Sequence, residues 1–133
     1  MIEGIGHLAF VAADMEKSLA FYCGALGFQK AFELRRDDGA PWIVYIKVRD
    51  GQFIELFHGG AEKPSGGNVG YSHLCLEVRD IHEIAAHLKA RGVELDAEPK
   101  QGKDTNWQCW ARDPDGNRIE FMQMSPGSPQ MNA

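Results

Sequence analysis

The sequence predicts an α+β fold built from two copies of one βαβββ module. The first observation is an internal repeat, in which GHLAFVAADMEKSLA at 6–20 aligns with SHLCLEVRDIHEIAA at 72–86 at an offset of 66. The second is a later block, DGQFIEL at 50–56, which aligns with DGNRIEF at 115–121 at an offset of 65. The third is the hydrophobic pattern, which in each half runs strand, helix and then three strands. With 133 residues and an apolar share of 44%, a single domain containing both modules is expected.

The first module, at about residues 4–58, is expected to begin with a strand and a helix. Asp14 is predicted to cap the helix, which runs to about Leu26 and is closed by Gly27. Asp-Gly turn signals separate the strands that follow. The predicted strands of this module cover residues 5–12, 28–36, 42–49 and 52–58.

The second module, at about residues 71–124, follows the same order. Asp80 is predicted to cap its helix, and Gly92 to end it. The glycine-rich stretch 59–70 between the modules is predicted to be a linker. The tail 125–133 has two prolines and little apolar content, so it is expected to be disordered. The predicted strands of this module cover residues 71–78, 93–97, 106–112 and 117–124.

Composition and charge exclude several classes of function. The formal net charge is −5 and no basic cluster is present, which argues against nucleic-acid binding. No apolar run approaches the roughly 20 residues of a membrane helix, and the N-terminal segment lacks the pattern of a secretory signal. The cysteines Cys23, Cys75 and Cys109 lie apart among apolar neighbours and are expected to be buried and reduced. We therefore expect a cytoplasmic protein that binds neither nucleic acid nor membrane.

Two histidines and two glutamates occupy repeated positions, His7 with His73 and Glu55 with Glu120. Each is predicted to lie mid-strand between apolar residues that point to the helix-covered side, so all four emerge on the opposite face. A single histidine in an apolar strand is more often a hydrogen-bonded core residue, and a single glutamate is more often solvated. The recurrence of both types favours a shared site, because such groups are costly to bury unpaired. Nitrogen and oxygen donors of this kind suit a divalent transition metal such as Zn, Ni, Co, Fe or Mn.

Two motifs, FYCGALGF at 21–28 and DPDGNRIEF at 113–121, extend this pattern. Together with the repeated module and the His/Glu/His/Glu order, they resemble the vicinal oxygen chelate superfamily, and within it the glyoxalase I-like proteins. The resemblance covers about residues 4–124 and implies an open, cupped eight-stranded β-barrel with a metal in the cup. It implies one divalent metal per site, Zn or Ni foremost and otherwise Co, Mn or Fe. The metal ligands that it implies are His7, Glu55, His73 and Glu120.

The resemblance also implies an activity, that of a metal-dependent lyase or isomerase of the glyoxalase I type that acts on a small-molecule substrate such as a hydroxy-carbonyl. The metal would acidify the C–H beside a chelated carbonyl, and Glu120 or Glu55 would move the proton. Glutathione-using relatives carry an arginine and an asparagine where this chain has Val11 and Gly59, which argues against a glutathione adduct as substrate. Two alternatives stay open: an extradiol-type dioxygenase, against which the fourth ligand argues, and a metal-free small-molecule binding or resistance protein.

Proteins of this superfamily commonly close the cup across a two-fold dimer, so the resemblance implies a homodimer. In the expected arrangement, sites are shared between chains. His7 and Glu55 of one chain are paired with His73 and Glu120 of the other. The other side chains expected to line the cup are Trp42, Tyr45, Phe53, Lys103, Asn106, Trp107 and Arg118.

Overall fold

The computed structural model describes residues 5–61 and 71–133, and the chain divides into two compact units. Unit 1 is Met1–Ser65 and unit 2 is Gly66–Ala133. The division falls within the predicted linker at 59–70, of which residues 62–70 lie outside the described part. Each unit contains a four-stranded mixed sheet, and the two sheets have equivalent strand orders. The predicted α+β class and the repeated βαβββ order are confirmed.

Unit 1 has its first and last strands side by side. Its strands are β1 (His7–Val11), β2 (Gln29–Arg35), β3 (Pro41–Arg49) and β4 (Gln52–Phe57), and its helix is α1 (Met15–Leu19). The sheet order is β1-β4-β3-β2. The β1–β4 pair is parallel and the other pairs are antiparallel, as expected where a helix connects the first strand to the rest.

The helical segment of unit 1 differs from the single α-helix that the sequence predicts. Asp14 caps α1 as expected, since its side chain accepts a hydrogen bond from Lys17 N at 3.1 Å. From Ala20 to Ala25, however, the chain is π-helical. The wider turn lets the adjacent rings of Phe21 and Tyr22, whose centroids are 5.1 Å apart, both be buried.

Unit 2 repeats this arrangement with a regular helix. Its strands are β5 (Leu74–Glu77), β6 (Leu95–Gln101), β7 (Trp107–Arg112) and β8 (Arg118–Gln123), and its helix is α2 (Ile81–Ala90). The order is β5-β8-β7-β6, with β5 parallel to β8. Asp80 caps α2 by accepting hydrogen bonds from the backbone N–H groups of His82 and Glu83. Across both described ranges, no helix has the length and apolar character needed to cross a membrane.

Strand β6 is longer than the sequence pattern predicts. It was expected to end at Ala97 but continues to Gln101, and it includes Pro99. Proline lacks a backbone N–H and is tolerated in strands at sheet edges and bulges. Here β6 is an edge strand, and its register with β7 shifts by one residue between Ala97 and Lys100. The bulge accommodates Pro99 and lets pairing resume beyond it.

The core lies on the helix-covered face of each sheet. In unit 1, Tyr22 of the π-helical segment stacks against Phe10 of β1, with ring centroids 6.4 Å apart. In unit 2, the backbone N–H of Ile81 donates to the side chain of Gln123 on β8. Alternation then places the intervening residues of each strand on the opposite face. Core side chains that are 2% exposed or less include Tyr22, Val44, Ile46, Ile54, Leu56, Leu88, Cys109, Ala111, Ile119 and Phe121.

The C-terminal segment 125–133, for which disorder was predicted, contacts Asn106. The backbone N–H of Ser125 donates to Asn106 Oδ1 at 2.9 Å, and Asn106 Nδ2 donates to Gln130 Oε1 at 3.3 Å. Ser128 is fully buried. Because the Asn106 side chain is itself buried, its amide requires partners, and the segment supplies them.

Candidate functional site

The first pair of predicted ligands comes together in unit 1. Glu55 lies within β4, whereas His7 is the first residue of β1 and not mid-strand as expected. Ala9 pairs with Glu55 across the parallel strands, so His7, two residues earlier, lies diagonally opposite Glu55 on the same face. His7 Nε2 is 3.4 Å from Glu55 Oε1; the side chains are 51% and 8% exposed, respectively. The carboxylate is therefore buried and the imidazole open to solvent.

Aromatic side chains surround Glu55. Tyr45 pairs with Glu55 across β3 and β4, and its hydroxyl donates a hydrogen bond to the carboxylate, which raises the pKa of Tyr45. The Tyr45 ring stacks on Phe32 with centroids 4.2 Å apart and meets Phe53 edge-on at 6.4 Å. Tyr45 and Phe53 thus lie on the same face as Glu55, as expected of residues near the site.

The second pair comes together in unit 2, with a shorter separation. Glu120 lies within β8, and His73 directly precedes β5, because the parallel pairing begins only at Leu74. His73 Nε2 is 3.1 Å from Glu120 Oε2; the side chains are 32% and 13% exposed, respectively. The other ring nitrogen, Nδ1, is 3.0 Å from the hydroxyl of Ser72. Both nitrogens of His73 therefore have polar neighbours.

Next to this pair lies a stacked arginine and tryptophan. Trp110 on β7 pairs with Glu120, the same register position that Tyr45 has relative to Glu55. The Trp110 ring meets the His73 ring at 70°, with centroids 4.9 Å apart. The guanidinium carbon of Arg118 lies 4.4 Å from the Trp110 ring centroid. Arg118 is two residues before Glu120 and shares its face.

Cys75, which was predicted to be buried, also lies beside Glu120. Cys109 is buried, but Cys75 is exposed and pairs with Glu120 across β5 and β8. Partial desolvation of the Cys75 thiol raises its pKa to about 12, and the negative charge of Glu120 and a hydrogen bond to that carboxylate add to the shift. Because Leu74 and Leu76 point to the helix side, alternation alone assigns Cys75 to the Glu120 face. The prediction that Cys75 is buried was based on its apolar neighbours and was wrong.

Several residues expected in the cup lie elsewhere. Trp107 is on the helix-covered face of its sheet, where its ring lies 5.4 Å from that of His82. Asn106 is buried and holds the C-terminal segment. Lys103 lies in the exposed turn that follows β6. Trp42, in contrast, packs edge-on against Phe57, which lies on the Glu55 face of β4, with ring centroids 6.2 Å apart.

The chemistry of each pair is that of one imidazole nitrogen beside one carboxylate oxygen. Such donors bind divalent transition metals and also transfer protons near neutral pH. The structure brings His7 to Glu55 and His73 to Glu120. Over residues 5–61 and 71–133, no three His, Cys, Asp or Glu side chains cluster closely enough to hold a metal ion. Each unit therefore presents two donors.

Comparison with known proteins agrees with the repeated fold. Residues 4–121 match the family model of the Glyoxalase/Bleomycin resistance protein/Dioxygenase superfamily. A probable lactoylglutathione lyase from Synechocystis sp. is 33% identical over 127 residues, covering 90% of this chain and 94% of that protein. A 2-epi-5-epi-valiolone epimerase from Actinomyces sp is 23% identical over 150 aligned positions, covering 94% of this chain and 81% of that protein. The crystal structure of SMU.1112c matches with a TM-score of 0.81 at 24% identity, covering 92% of this chain and 99% of that one. The chain belongs to the glyoxalase/bleomycin resistance protein/dioxygenase superfamily.

Proposed function

We propose that this protein is a metal-dependent lyase or isomerase that moves a proton on a hydroxy-carbonyl substrate. In this proposal, His7, Glu55, His73 and Glu120 are the ligands of one divalent metal, with Zn or Ni as the first expectation. Membership of a superfamily that includes lactoylglutathione lyase relatives supports the reaction class. The observation that carries the proposal is the separation of the donor atoms in each pair.

The donor separations fit a shared ion. Two ligand atoms that each lie about 2.1 Å from one metal are roughly 3.0 Å apart in octahedral geometry and roughly 3.4 Å apart in tetrahedral geometry. The measured separations are 3.1 Å for His73 and Glu120 and 3.4 Å for His7 and Glu55. Both pairs join an imidazole nitrogen to a carboxylate oxygen, the donor types that Zn, Ni, Co, Fe and Mn accept.

The protein groups have distinct tasks in the proposed reaction. When bound, the metal would polarise the carbonyl oxygen of the substrate as a Lewis acid. Glu120 or Glu55 takes the proton from the carbon beside that carbonyl and returns it to the neighbouring carbon. Glu55 is flanked by aromatic side chains and is 8% exposed, so little water reaches that carboxylate.

The surroundings of the pairs favour a substrate without glutathione. Val11, at the end of β1, is 57% exposed and carries no charge. Gly59 has φ +96°, where a side chain is strained, so an asparagine is disfavoured there. The names of the relatives include both a glutathione compound, in lactoylglutathione lyase, and a compound without glutathione, in 2-epi-5-epi-valiolone epimerase. We therefore propose a small hydroxy-carbonyl compound as the substrate.

The proposal extends to assembly. A complete ligand set needs one pair from each unit, and two-fold dimers are the commonest protein oligomers. We propose a homodimer in which the His7–Glu55 pair of one chain and the His73–Glu120 pair of the other bind the same metal. Each dimer then has two such sites.

Metal analysis of protein purified without chelators tests the proposal. About one divalent metal per chain is expected, and Glu55→Ala and His73→Ala should each lose most of it because each removes a ligand. Glu33→Ala and His82→Ala, which remove an exposed carboxylate and an exposed imidazole elsewhere, serve as matched controls and should retain the metal.

Exchange of carbon-bound hydrogen for deuterium in dihydroxyacetone, followed by NMR, reports the proton transfer. Full metal content and exchange in the two ligand variants would falsify the proposal.

A further inference from the structure

We propose that Arg118, stacked on Trp110, binds an anionic group of the substrate, a carboxylate or a phosphate. The inference rests on the proposed function, since it takes the substrate to be a hydroxy-carbonyl compound that reacts beside His73 and Glu120. It adds the chemical class of the substrate and the residue that selects it. The residues that form the proposed anion site all lie in unit 2.

The position of Arg118 places a positive charge next to the proposed reacting groups. Arg118 and Glu120 are two residues apart on one strand face, which corresponds to roughly 6.6 Å along the strand. Trp110, which pairs with Glu120, contacts the guanidinium on its face at 4.4 Å and meets His73 at 4.9 Å. A substrate that binds beside His73 and Glu120 therefore has Arg118 within a few bonds of its reacting carbon.

The guanidinium of Arg118 is available for a ligand. Arg112, which pairs with Arg118 across β7 and β8, is engaged with a protein group, since its Nε lies 2.7 Å from Asp96 Oδ2. In unit 1, Arg35 likewise lies 3.0 Å from Glu33 Oε1. Within the described parts of the chain, by contrast, Arg118 has no carboxylate partner, and it is exposed. Stacking on an indole holds the planar guanidinium in one orientation and leaves its N–H groups free for a bidentate anion.

The repeat provides an internal comparison. The position equivalent to Arg118 in unit 1 is Phe53, and the position equivalent to Trp110 is Tyr45. In unit 1 these positions form an aromatic group around Glu55, without a cation stacked on a ring. The stacked arginine at this register position is thus present in unit 2 and replaced by an aromatic residue in unit 1. This asymmetry is expected if the substrate presents its anionic group to unit 2.

Binding of three matched hydroxyketones tests the inference. Dihydroxyacetone is neutral, hydroxypyruvate carries a carboxylate and dihydroxyacetone phosphate carries a phosphate, so the comparison also distinguishes the two anions. Calorimetric titration of the protein as purified is expected to give at least about tenfold tighter binding of one or both anions than of the neutral compound. Arg118→Gln should abolish this preference. Arg118→Lys should keep only part of it, because lysine retains the charge but loses the planar fork.

Arg36→Gln is the matched control, because the guanidinium of Arg36 also lies over a tryptophan ring, Trp42, at 5.4 Å. It should leave the preference unchanged, and circular dichroism of each variant checks folding. Equal binding of all three compounds by the wild type, an undiminished preference in Arg118→Gln, or an equal loss in Arg36→Gln overturns the inference. Metal content measured on the same samples separates the two proposals. A lost preference with normal metal supports Arg118 as the anion site, whereas absent metal in the wild type contradicts the proposed function alone.

Discussion

The His7–Glu55 pair and the His73–Glu120 pair have equivalent places in the repeat but different surroundings. In unit 1 the carboxylate is the group held in place, since Glu55 is buried and accepts a hydrogen bond from Tyr45. The unit 1 imidazole is half exposed and follows a glycine, Gly6. The repeated backbone thus preserves the two donors while the side chains around them have diverged.

In unit 2 the imidazole is the group held in place. His73 has Glu120 at one ring nitrogen and the Ser72 hydroxyl at the other. Besides His73, the side-chain donor found for Glu120 in the described part of the chain is the thiol of Cys75, and a thiol is a weaker donor than the Tyr45 hydroxyl beside Glu55. Under the proposed function, this comparison predicts a division of roles, in which Glu55 acts as the fixed ligand and Glu120 exchanges the proton.

The largest expected effect is the loss of metal and activity when either histidine is removed. Mixing the two variants tests whether the two pairs bind the same metal. His7→Ala and His73→Ala chains should each be inactive and metal-poor as homodimers. When they are unfolded together and refolded, about half of the dimers are mixed. With shared sites, each mixed dimer has one intact site of two, so about a quarter of all sites recover metal and activity.

The result of this mixing experiment depends on where the ligands originate. If both pairs of a site belong to one chain, every site keeps one defect and the refolded mixture stays as inactive as its components. Each variant refolded alone is the control for recovery of the fold. A mixture without recovery, from variants that refold and dimerise normally, contradicts the shared site.

The repeat allowed much of the fold to be predicted, because the same signals appear twice in the same order. Asp80 before an apolar helical stripe and glycine after it define α2 in sequence. The His/Glu spacing likewise predicted which residues meet, and the structure brings each histidine to its own glutamate. Strand limits were less accurate: pairing begins at His7 in one unit and only after His73 in the other.

The errors arose where partners are distant in sequence or where neighbours dominated the interpretation. The burial of Asn106 depends on Ser125 and Gln130, which no local pattern connects to it. Trp107 was expected near the site, but it is three residues from Trp110, and an odd spacing reverses the face. The same alternation rule would have placed Cys75 beside Glu120.

The second largest expected effect concerns the side chains that donate hydrogen bonds to Glu55 and Glu120. Tyr45→Phe keeps the ring stacked on Phe32 but removes the hydroxyl that donates to Glu55, so metal affinity should fall on the order of 10-fold. Cys75→Ala installs the residue that unit 1 has at Ala9 and should change affinity less than about threefold, because a thiol is a weak donor. Competition with a chromophoric chelator measures both affinities. Equal losses in the two variants would show that the carboxylates are held alike.

The smallest effect concerns the residues that precede the two histidines, Gly6 and Ser72. Ser72→Gly removes the hydroxyl 3.0 Å from His73 Nδ1 and makes this histidine resemble His7. Because His73 is 32% exposed, water can replace the hydroxyl. Only a few-fold loss of metal affinity is therefore expected, less than is usual when a buried residue that hydrogen-bonds a metal ligand is removed.

The reciprocal Gly6→Ser is sterically allowed, since a Cβ at Gly6 meets no atom within 4 Å. It should raise affinity slightly by orienting His7. Chelator competition measures the affinities, and ¹⁵N NMR of the imidazoles reports whether each histidine changes its tautomer. If neither substitution changes the metal affinity, the difference between the surroundings of the two histidines has no effect on metal binding.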